Sequence, residues 1–233
     1  MTKALYLDDA YLKEFNANIT KVEGTSVWMD ETAFYPTSGG QPNDTGTIKA
    51  DKEYKVVNVI KQDGDIVHIV DQEGLQPGPA ECTIDWERRY KLMRMHTSAH
   101  VLSQTIFKAT DALCSGNELG EEKSRMDFSV PITKDQFQGF VEEANKIIDQ
   151  DLPITWKFMP KEEAMKLGEA FRLMGKNHPN LDVLRMVSIG DFDIQADGGT
   201  HVKSTKLVGH LGLIKFENKG AQRKRIYWEL TQP

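Results

Sequence analysis

Cysteine is nearly absent: Cys82 and Cys114 are the only two in 233 residues. Two thiols make no disulfide framework, and a reducing cytoplasm is the expected setting. Long apolar runs are missing too. No stretch approaches the roughly 20 residues that cross a bilayer, and the opening Met1-Thr2-Lys3-Ala4-Leu5-Tyr6-Leu7-Asp8-Asp9 lacks the apolar core of a signal peptide. No membrane partner is expected. A surplus of positive charge is also lacking. The net charge of -6 argues against a general nucleic-acid binder. Internal repeats and low-complexity tracts do not occur. What is present, 39% hydrophobic and 27% charged residues, suffices for a real core in one large domain or two modest ones.

Residues 1–87 read as β-rich. Short alternating or apolar runs (Ala4–Leu7, Ser26–Met29, Thr45–Ile48, Tyr54–Ile60, Ile66–Val70, Ala80–Ile84) are separated by Glu23-Gly24, Asn43-Asp44, Asp63-Gly64 and Gln76-Pro77-Gly78-Pro79. Such spacing without a long helix predicts a small barrel. Within it, Phe34-Tyr35-Pro36-Thr37-Ser38-Gly39-Gly40-Gln41-Pro42 carries two stiffening prolines around a permissive centre. It reads either as a tight barrel turn or as a lip over a site in the following domain.

Near Asp85–Arg89 the apolar period changes from two to 3.6, which sets the domain boundary at 87/88. A helix is expected over about Glu87 to Asp111, with Leu92, Met95, Ala99, Leu102 and Ile106 as its apolar seam. His96, His100 and Phe107 lie on the flank of that seam. His96 and His100, four apart, leave the same side of the helix one turn apart, the spacing that offers two nitrogens to one metal ion. About a hundred residues later Asp197-Gly198-Gly199-Thr200-His201 presents a carboxylate and an imidazole across two glycines, a loop or strand end. Paired histidines also arise by chance on helices. An unpartnered imidazole at a core edge is costly, however, and the second pair strengthens a zinc reading.

The remaining chain, 88–233, predicts a loop at Cys114–Gly120 and a strand over Ser124–Val130. The Thr133-x-x-Gln136 capping box opens a helix to about Asp149. A strand at Ile154–Met159 and a helix from Pro160 through Leu173 follow. Strands at Val183–Ile189, Phe192–Gln195, Leu211–Glu217 and Lys224–Leu230 complete an α+β domain, helices on a mostly antiparallel sheet. Basic residues cluster at Arg88, Arg89, Lys91 and Arg94, and again from Lys203 to Arg225 against few acids. They suit a polyanion gripped locally, or are simply solvated faces. His68, His178 and His210 show no partner pattern and read as surface or turn residues. Trp28, Trp86, Trp156 and Trp228 are scattered, as core anchors are, rather than grouped as a base-stacking platform.

His96-Thr-Ser-Ala-His100 followed by Gly198-Gly-Thr-His-Val202 resembles the editing domain of alanyl- and threonyl-tRNA synthetases. Phe34-Tyr35-Pro36-Thr-Ser-Gly39-Gly40-Gln41 with Asp44-Thr-Gly46 resembles the glycine-rich motif that precedes it in the alanyl enzymes. With no aminoacylation domain, nearly the whole chain resembles the free-standing AlaX family of alanyl-tRNA editing proteins, in the medium-length form that keeps the barrel. The resemblance implies a cytoplasmic hydrolase that removes serine, and glycine as a further candidate, from mischarged tRNA for alanine. It implies one zinc per chain, held by His96, His100, position 197 and His201. Position 197 is Asp here, where the family pattern has Cys. Asp197 either ligates as an oxygen donor, the favoured reading, or stays off the metal and orients a water.

Ester hydrolysis needs an activated water and a stabilised oxyanion. A zinc with an exchangeable position serves directly, and a closed four-ligand site anchors the substrate instead. Thr200 and Asp197 are the candidate catalytic pair, with the amides of Gly198 and Gly199 beside them. Thr97 is expected to face elsewhere in a structural role. Serine is told from alanine by a pocket that hydrogen-bonds the hydroxyl. Thr37, Ser38, Gly39, Gly40 and Gln41 are the candidates, with Ser115 and Asn117 second. Lys203, Lys206, Arg223, Lys224 and Arg225 are candidates for the RNA backbone. A zinc peptidase is disfavoured, since the residue after the first histidine is Thr97 and not Glu. A non-catalytic RNA-binding module with a structural metal, another small-ester metallohydrolase, and an inactive regulatory relative remain as rivals.

Overall fold

The computed structural model describes residues 1–167, 181–220 and 223–231. They divide into two compact units, Met1–Leu92 and Met93–Pro233. The division falls inside the long helix α1 (Trp86–Thr110), not at the 87/88 position where the sequence pattern changes. The first turns of α1 belong with the barrel because Arg89 is buried there. Its guanidinium donates to both oxygens of Asp44, to Ala10 O at 2.8 Å and to Ala33 O at 2.5 Å.

The first unit is built from β1 (Lys3–Ala4), β2 (Glu14–Glu23), β3 (Ser26–Met29), β4 (Glu31–Thr32), β5 (Gly46–Lys49), β6 (Glu53–Gln62), β7 (Asp65–Val70) and β8 (Gly78–Ile84). Six of them close an antiparallel barrel in the order β2-β3-β7-β6-β5-β8. Alternation fills it: Ala80, Cys82 and Ile84 of β8 point in while Pro79, Glu81 and Thr83 are not buried. In β6 a bulge between Val56 and Asn58 shifts the alternation by one, so Val59 turns inward and Val57 outward. Strand β2 escaped the sequence reading, because its Asn-Ala-Asn centre has low β propensity. Pairing with β3 and β8 imposes the strand. Residues Leu5–Leu7, read as strand, form a 3₁₀ turn.

His68 is not a surface residue. It is wholly buried, its Nε2 2.9 Å from Thr32 Oγ1 and its Nδ1 3.2 Å from Val27 O. The Gly39-Gly40 pair is the tight turn of a small hairpin. Ser38 and Gln41 exchange backbone hydrogen bonds of 3.1 and 2.9 Å, and both glycines hold the positive φ (58° and 84°) that such a turn favours.

The second unit contains β9 (Cys114–Glu118), β10 (Lys123–Phe128), α2 (Lys134–Asp149), β11 (Ile154–Pro160), α3 (Lys161–Ala164), β12 (Val183–Ile189), β13 (Asp193–Ala196), β14 (Leu211–Asn218) and β15 (Lys224–Leu230). Its strands form two antiparallel sheets, β14-β15-β10-β9 and β11-β12-β13. The Thr133/Gln136 capping box forms as expected, and Phe137 of α2 packs on Phe128 and Phe216. Cys114–Glu118 is a strand where a loop was expected. Pairing with β10 overrides its Ser-Gly-Asn composition. Of the helix expected from Pro160 through Leu173 only the four-residue α3 forms: Pro160 ends β11, residues 165–167 are a turn and bend, and 168–173, with His178, lie outside the described residues. Trp228 is a core anchor, but Trp156 is 39% exposed, against the reading that grouped it with the anchors. His210 is exposed, 2.7 Å from Asp149. Among the described residues no helix is long and apolar enough to cross a membrane.

Candidate metal centre

Helix α1 departs from the expected one-sided seam: every residue from Met93 to Ile106 is buried. Its small polar residues permit this by bonding to the helix's own carbonyls. Thr97 Oγ1 donates to Met93 O at 2.9 Å, Ser98 Oγ to Met95 O at 2.7 Å and Thr105 Oγ1 to Val101 O at 2.8 Å. Trp228 Nε1 donates to Ser98 Oγ at 2.9 Å, and Arg94 donates to the carbonyls of Val208 and Thr231. The two histidines of α1 therefore sit in the interior, their rings 5.1 Å apart.

The second half of the site follows β13. Asp197 N–H donates to Arg185 O at 3.0 Å, extending the strand pairing by one residue. The chain then turns: Gly199 N–H donates to Asp197 Oδ2 at 2.7 Å, and Arg185 Nη1 donates to the carbonyls of Asp197 and Gly199 at 3.1 and 3.0 Å. That turn delivers the His201 ring to 4.6 Å from His96 and 4.9 Å from His100. Gly199 is required by crowding. A Cβ there would stand 2.0 Å from His96 Cε1 and 2.2 Å from its Nδ1.

One ligand atom from each of His96, His100, Asp197 and His201 lies within 4.8 Å of the other three. Zinc bonds of about 2.0–2.2 Å place tetrahedral donors roughly 3.4 Å apart. The widest pair therefore has to close by at most about 1.4 Å, shared between two side chains. Protonation favours a cation as well. Burial pushes His201 down to about 4, against the pull of the Asp197 carboxylate. Burial likewise pushes His96 well below the ordinary imidazole range, with His201, His100 and Arg185 adding to it and Asp197 opposing. Burial raises the Asp197 carboxyl, but the imidazoles beside it outweigh that and hold it well below the usual range. His96 and His201 thus offer neutral nitrogens and Asp197 an ionised oxygen, the forms that bind a metal.

Thr97 settles which nitrogen of His201 is available. Its hydroxyl gives its one proton to Met93 O and accepts from Val202 N–H at 3.3 Å. The remaining lone pair faces His201 Nδ1 at 3.1 Å, so Nδ1 carries the proton. His201 Nε2 is then a bare lone pair 2.9 Å from Asp197 Oδ2. Two lone pairs at that distance repel unless a cation sits against them. The residues present therefore fit a divalent metal, with the outer hydrogen bond that orients a ligand histidine. Thr97 is consequently part of the site, contrary to its sequence reading as facing elsewhere. Asp193, buried with its carboxylate 3.6 Å from His100 Nδ1, and Arg185 were not anticipated either. The signal for Arg185 was a lone cation inside Val183-Leu184-Arg185-Met186-Val187.

The other candidates fall as follows. Thr200 is wholly buried beside His201. Ser115 is exposed and donates to Asp127 O at 3.3 Å, and Asn117 pairs with Met126 across β9 and β10. Thr37, Ser38, Gly39, Gly40 and Gln41 belong to the Met1–Leu92 unit, where Gln41 is buried and Thr37 and Gly39 are exposed. Lys203, Lys206 and Arg223 are exposed, and Arg225 is held on Asp127 at 2.6 Å. Lys224 is buried, its ammonium on Asn218 Oδ1 and Gly220 O at 2.8 and 2.6 Å, which closes the β14–β15 hairpin and removes it from the exposed cations.

Comparison with known proteins bears on what such a centre serves. Residues 184–227 match the threonyl and alanyl tRNA synthetase second additional domain, and residues 4–88 match the class II (A) tRNA synthetases. The alanyl-tRNA editing protein AlaX-M of Saccharolobus solfataricus is 41% identical over 233 residues, 98% of each chain. The chain belongs to the AlaX family. Its AlaX-M relative in Methanosarcina barkeri is 40% identical, over 99% of this chain and 100% of that one. The alanine–tRNA ligase of Pyrococcus abyssi is 38% identical over 93% of this AlaX chain, which spans only 24% of the ligase.

Proposed function

We propose that this chain is a metal-dependent trans-editing hydrolase, acting in the cytoplasm, that removes serine, and glycine as a second substrate, from mischarged tRNA for alanine. That it deacylates follows from its family. The observation that supports metal dependence is the convergence of His96, His100, Asp197 and His201 from α1 and the strand end after β13. These four would hold one zinc, with Asp197 as the oxygen ligand in the place of the family's cysteine. A bound zinc supplies Lewis acidity at the ester carbonyl and an acidified water.

The chain's own residues do the rest. Thr97 keeps the proton on His201 Nδ1, so the metal-facing nitrogen stays bare. Arg185 holds the carbonyls of Asp197 and Gly199, which fixes the turn. Gly199 N–H is engaged by Asp197, and the Gly198 amide and Thr200 are assigned to the aminoacyl end. For the serine side chain the candidates are Thr37, Ser38, Gly39, Gly40 and Gln41 of the first unit or, separately, Ser115 and Asn117 of the second. Unpaired polar groups in such a pocket penalise alanine. Lys203, Lys206, Arg223 and Arg225 are assigned to the RNA backbone.

The test is zinc content by elemental analysis together with serine release from mischarged tRNA, with and without chelator. One zinc per chain and chelator-sensitive turnover are expected. Binding of tRNA without turnover in the zinc-loaded protein would instead make it a non-catalytic module. Asp197→Asn separates the roles of the carboxylate: lost zinc retention supports ligation, whereas retained zinc with lost turnover assigns it to orienting water.

A further inference from the structure

The β11-β12-β13 sheet has two unlike faces. Leu184 and Met186 of β12, with Met159, Ile194 and Ala196, form a small core against Ala164 of α3. The other face carries Trp156 and Phe158 on β11, Val183, Arg185 and Val187 on β12, and Gln195 on β13, by alternation and register. Asp197 continues that face, since its amide pairs with Arg185 O. One end of the face is therefore the candidate metal centre. The other end is the outer strand β11, where Trp156 and Phe158 are 39% and 47% exposed, and Val183, at the start of β12, is 50% exposed.

We propose that Trp156 and Phe158 form a base-stacking platform for the unpaired nucleotides next to the acylated 3′ end of the RNA, an inference that rests on the function proposed above. The two rings meet edge to face, centroids 5.6 Å apart, leaving aromatic surface open to solvent. Arg185 joins the platform to the centre. Its guanidinium carbon lies 5.4 Å from the Trp156 ring centroid, while its Nη1 holds the carbonyls of Asp197 and Gly199. Phe158 pairs across β12 with Arg185, and Arg185 with Asp197. The aromatic edge is thus two strand spacings, roughly 10 Å, from the ligand carboxylate. A nucleotide adjoining the one whose ester lies at the centre reaches that far.

The chemistry is that of single-stranded RNA. Every base has a flat apolar face for an aromatic or guanidinium plane, and the phosphate between bases needs a cation. Exposed Lys203 supplies one where its carbonyl accepts Ile154 N–H at 2.9 Å, at the start of β11. Apolar residues grouped at an exposed sheet edge, rather than scattered, mark a surface that something covers.

The test compares Trp156→Ala, Phe158→Ala and Trp156→Phe with wild type in deacylation of mischarged tRNA. It adds a titration with an uncharged oligoribonucleotide of the 3′-terminal sequence. The alanine variants should raise KM by about tenfold or more with kcat within about twofold, and Trp156→Phe should restore KM. The oligonucleotide should quench tryptophan fluorescence in wild type and not in Trp156→Phe, although that variant still binds it. An unchanged KM in both alanine variants of an active enzyme overturns the platform. So does self-association that Trp156→Ala abolishes without any oligonucleotide response, which makes the occupant a second copy of the chain. If wild type releases no serine, the proposed activity fails, and the oligonucleotide titration still decides the platform.

Discussion

The Thr97 hydroxyl lies 3.1 Å from His201 Nδ1, across more than a hundred residues of chain, with its other bonds to Met93 O and Val202 N–H already made. Thr97→Val keeps the shape and removes this acceptor, freeing the imidazole to change tautomer. Loss of such an outer partner costs about 10–100-fold in metal affinity. Chelator competition on the zinc-loaded protein should show that loss, and Thr97→Ser should recover most of it. Equal zinc affinity in Thr97→Val would remove Thr97 from the site.

Gly199→Ala should abolish metal binding with the fold intact. The new methyl stands 2.0 Å from His96 Cε1, inside any tolerable contact, and 3.0 Å from Asp197 Oδ2. The imidazole has to swing away or the turn has to open, and either separates the donors. Zinc content and circular dichroism measured together check this. A variant that holds a full equivalent of zinc refutes the crowding argument.

His68 should make the barrel acid-sensitive. Burial holds its pKa down to about 4, against the pull of the Val27 carbonyl, so the unfolded chain takes up a proton near 6.5 that the folded one refuses. Stability is then full above about pH 6.5 and falls as the pH drops toward 4, by about 3 kcal/mol in all. Urea midpoints from pH 7 to 4 should decline more steeply for wild type than for His68→Gln. Parallel declines would mean that another group governs acid unfolding.

Asp44 and Arg89, both wholly buried, form an ion pair in which Asp44 Oδ2 also accepts Tyr35 N–H at 2.6 Å. Asp44→Asn leaves the guanidinium in the interior without its counter-charge and should cost about 3 kcal/mol or more. The denaturation midpoint reads this directly. A shift under about 1 kcal/mol would show that the three carbonyl and amide contacts suffice.

The parts of this structure legible in the sequence are those governed by local chemistry. Thr133 and Gln136 announce a capping box because both partners lie within one turn. The spacing of His96 and His100 fixes their common side whatever surrounds the helix. Strands β2 and β9 were not legible, since Asn-Ala-Asn and Ser-Gly-Asn are strands only through their neighbours. Full burial of α1 was hidden for a related reason. Serine and threonine read as polar, yet Thr97, Ser98 and Thr105 are satisfied by carbonyls of their own helix. Arg185 and Asp193 join the centre by sheet register, which only pairing partners distant in the chain determine.

The donor set at the centre contains no sulfur. A cysteine ligand is the part of such a site that peroxide attacks first, climbing from sulfenic to sulfonic acid and releasing the ion. Aspartate has no such ladder to climb. Both thiols of this chain are buried and protonated, Cys82 pushed up to about 12 and Cys114 to about 11, and so are poor targets themselves. With a carboxylate and three imidazoles as its possible donors, the candidate metal centre offers peroxide no thiolate to oxidise.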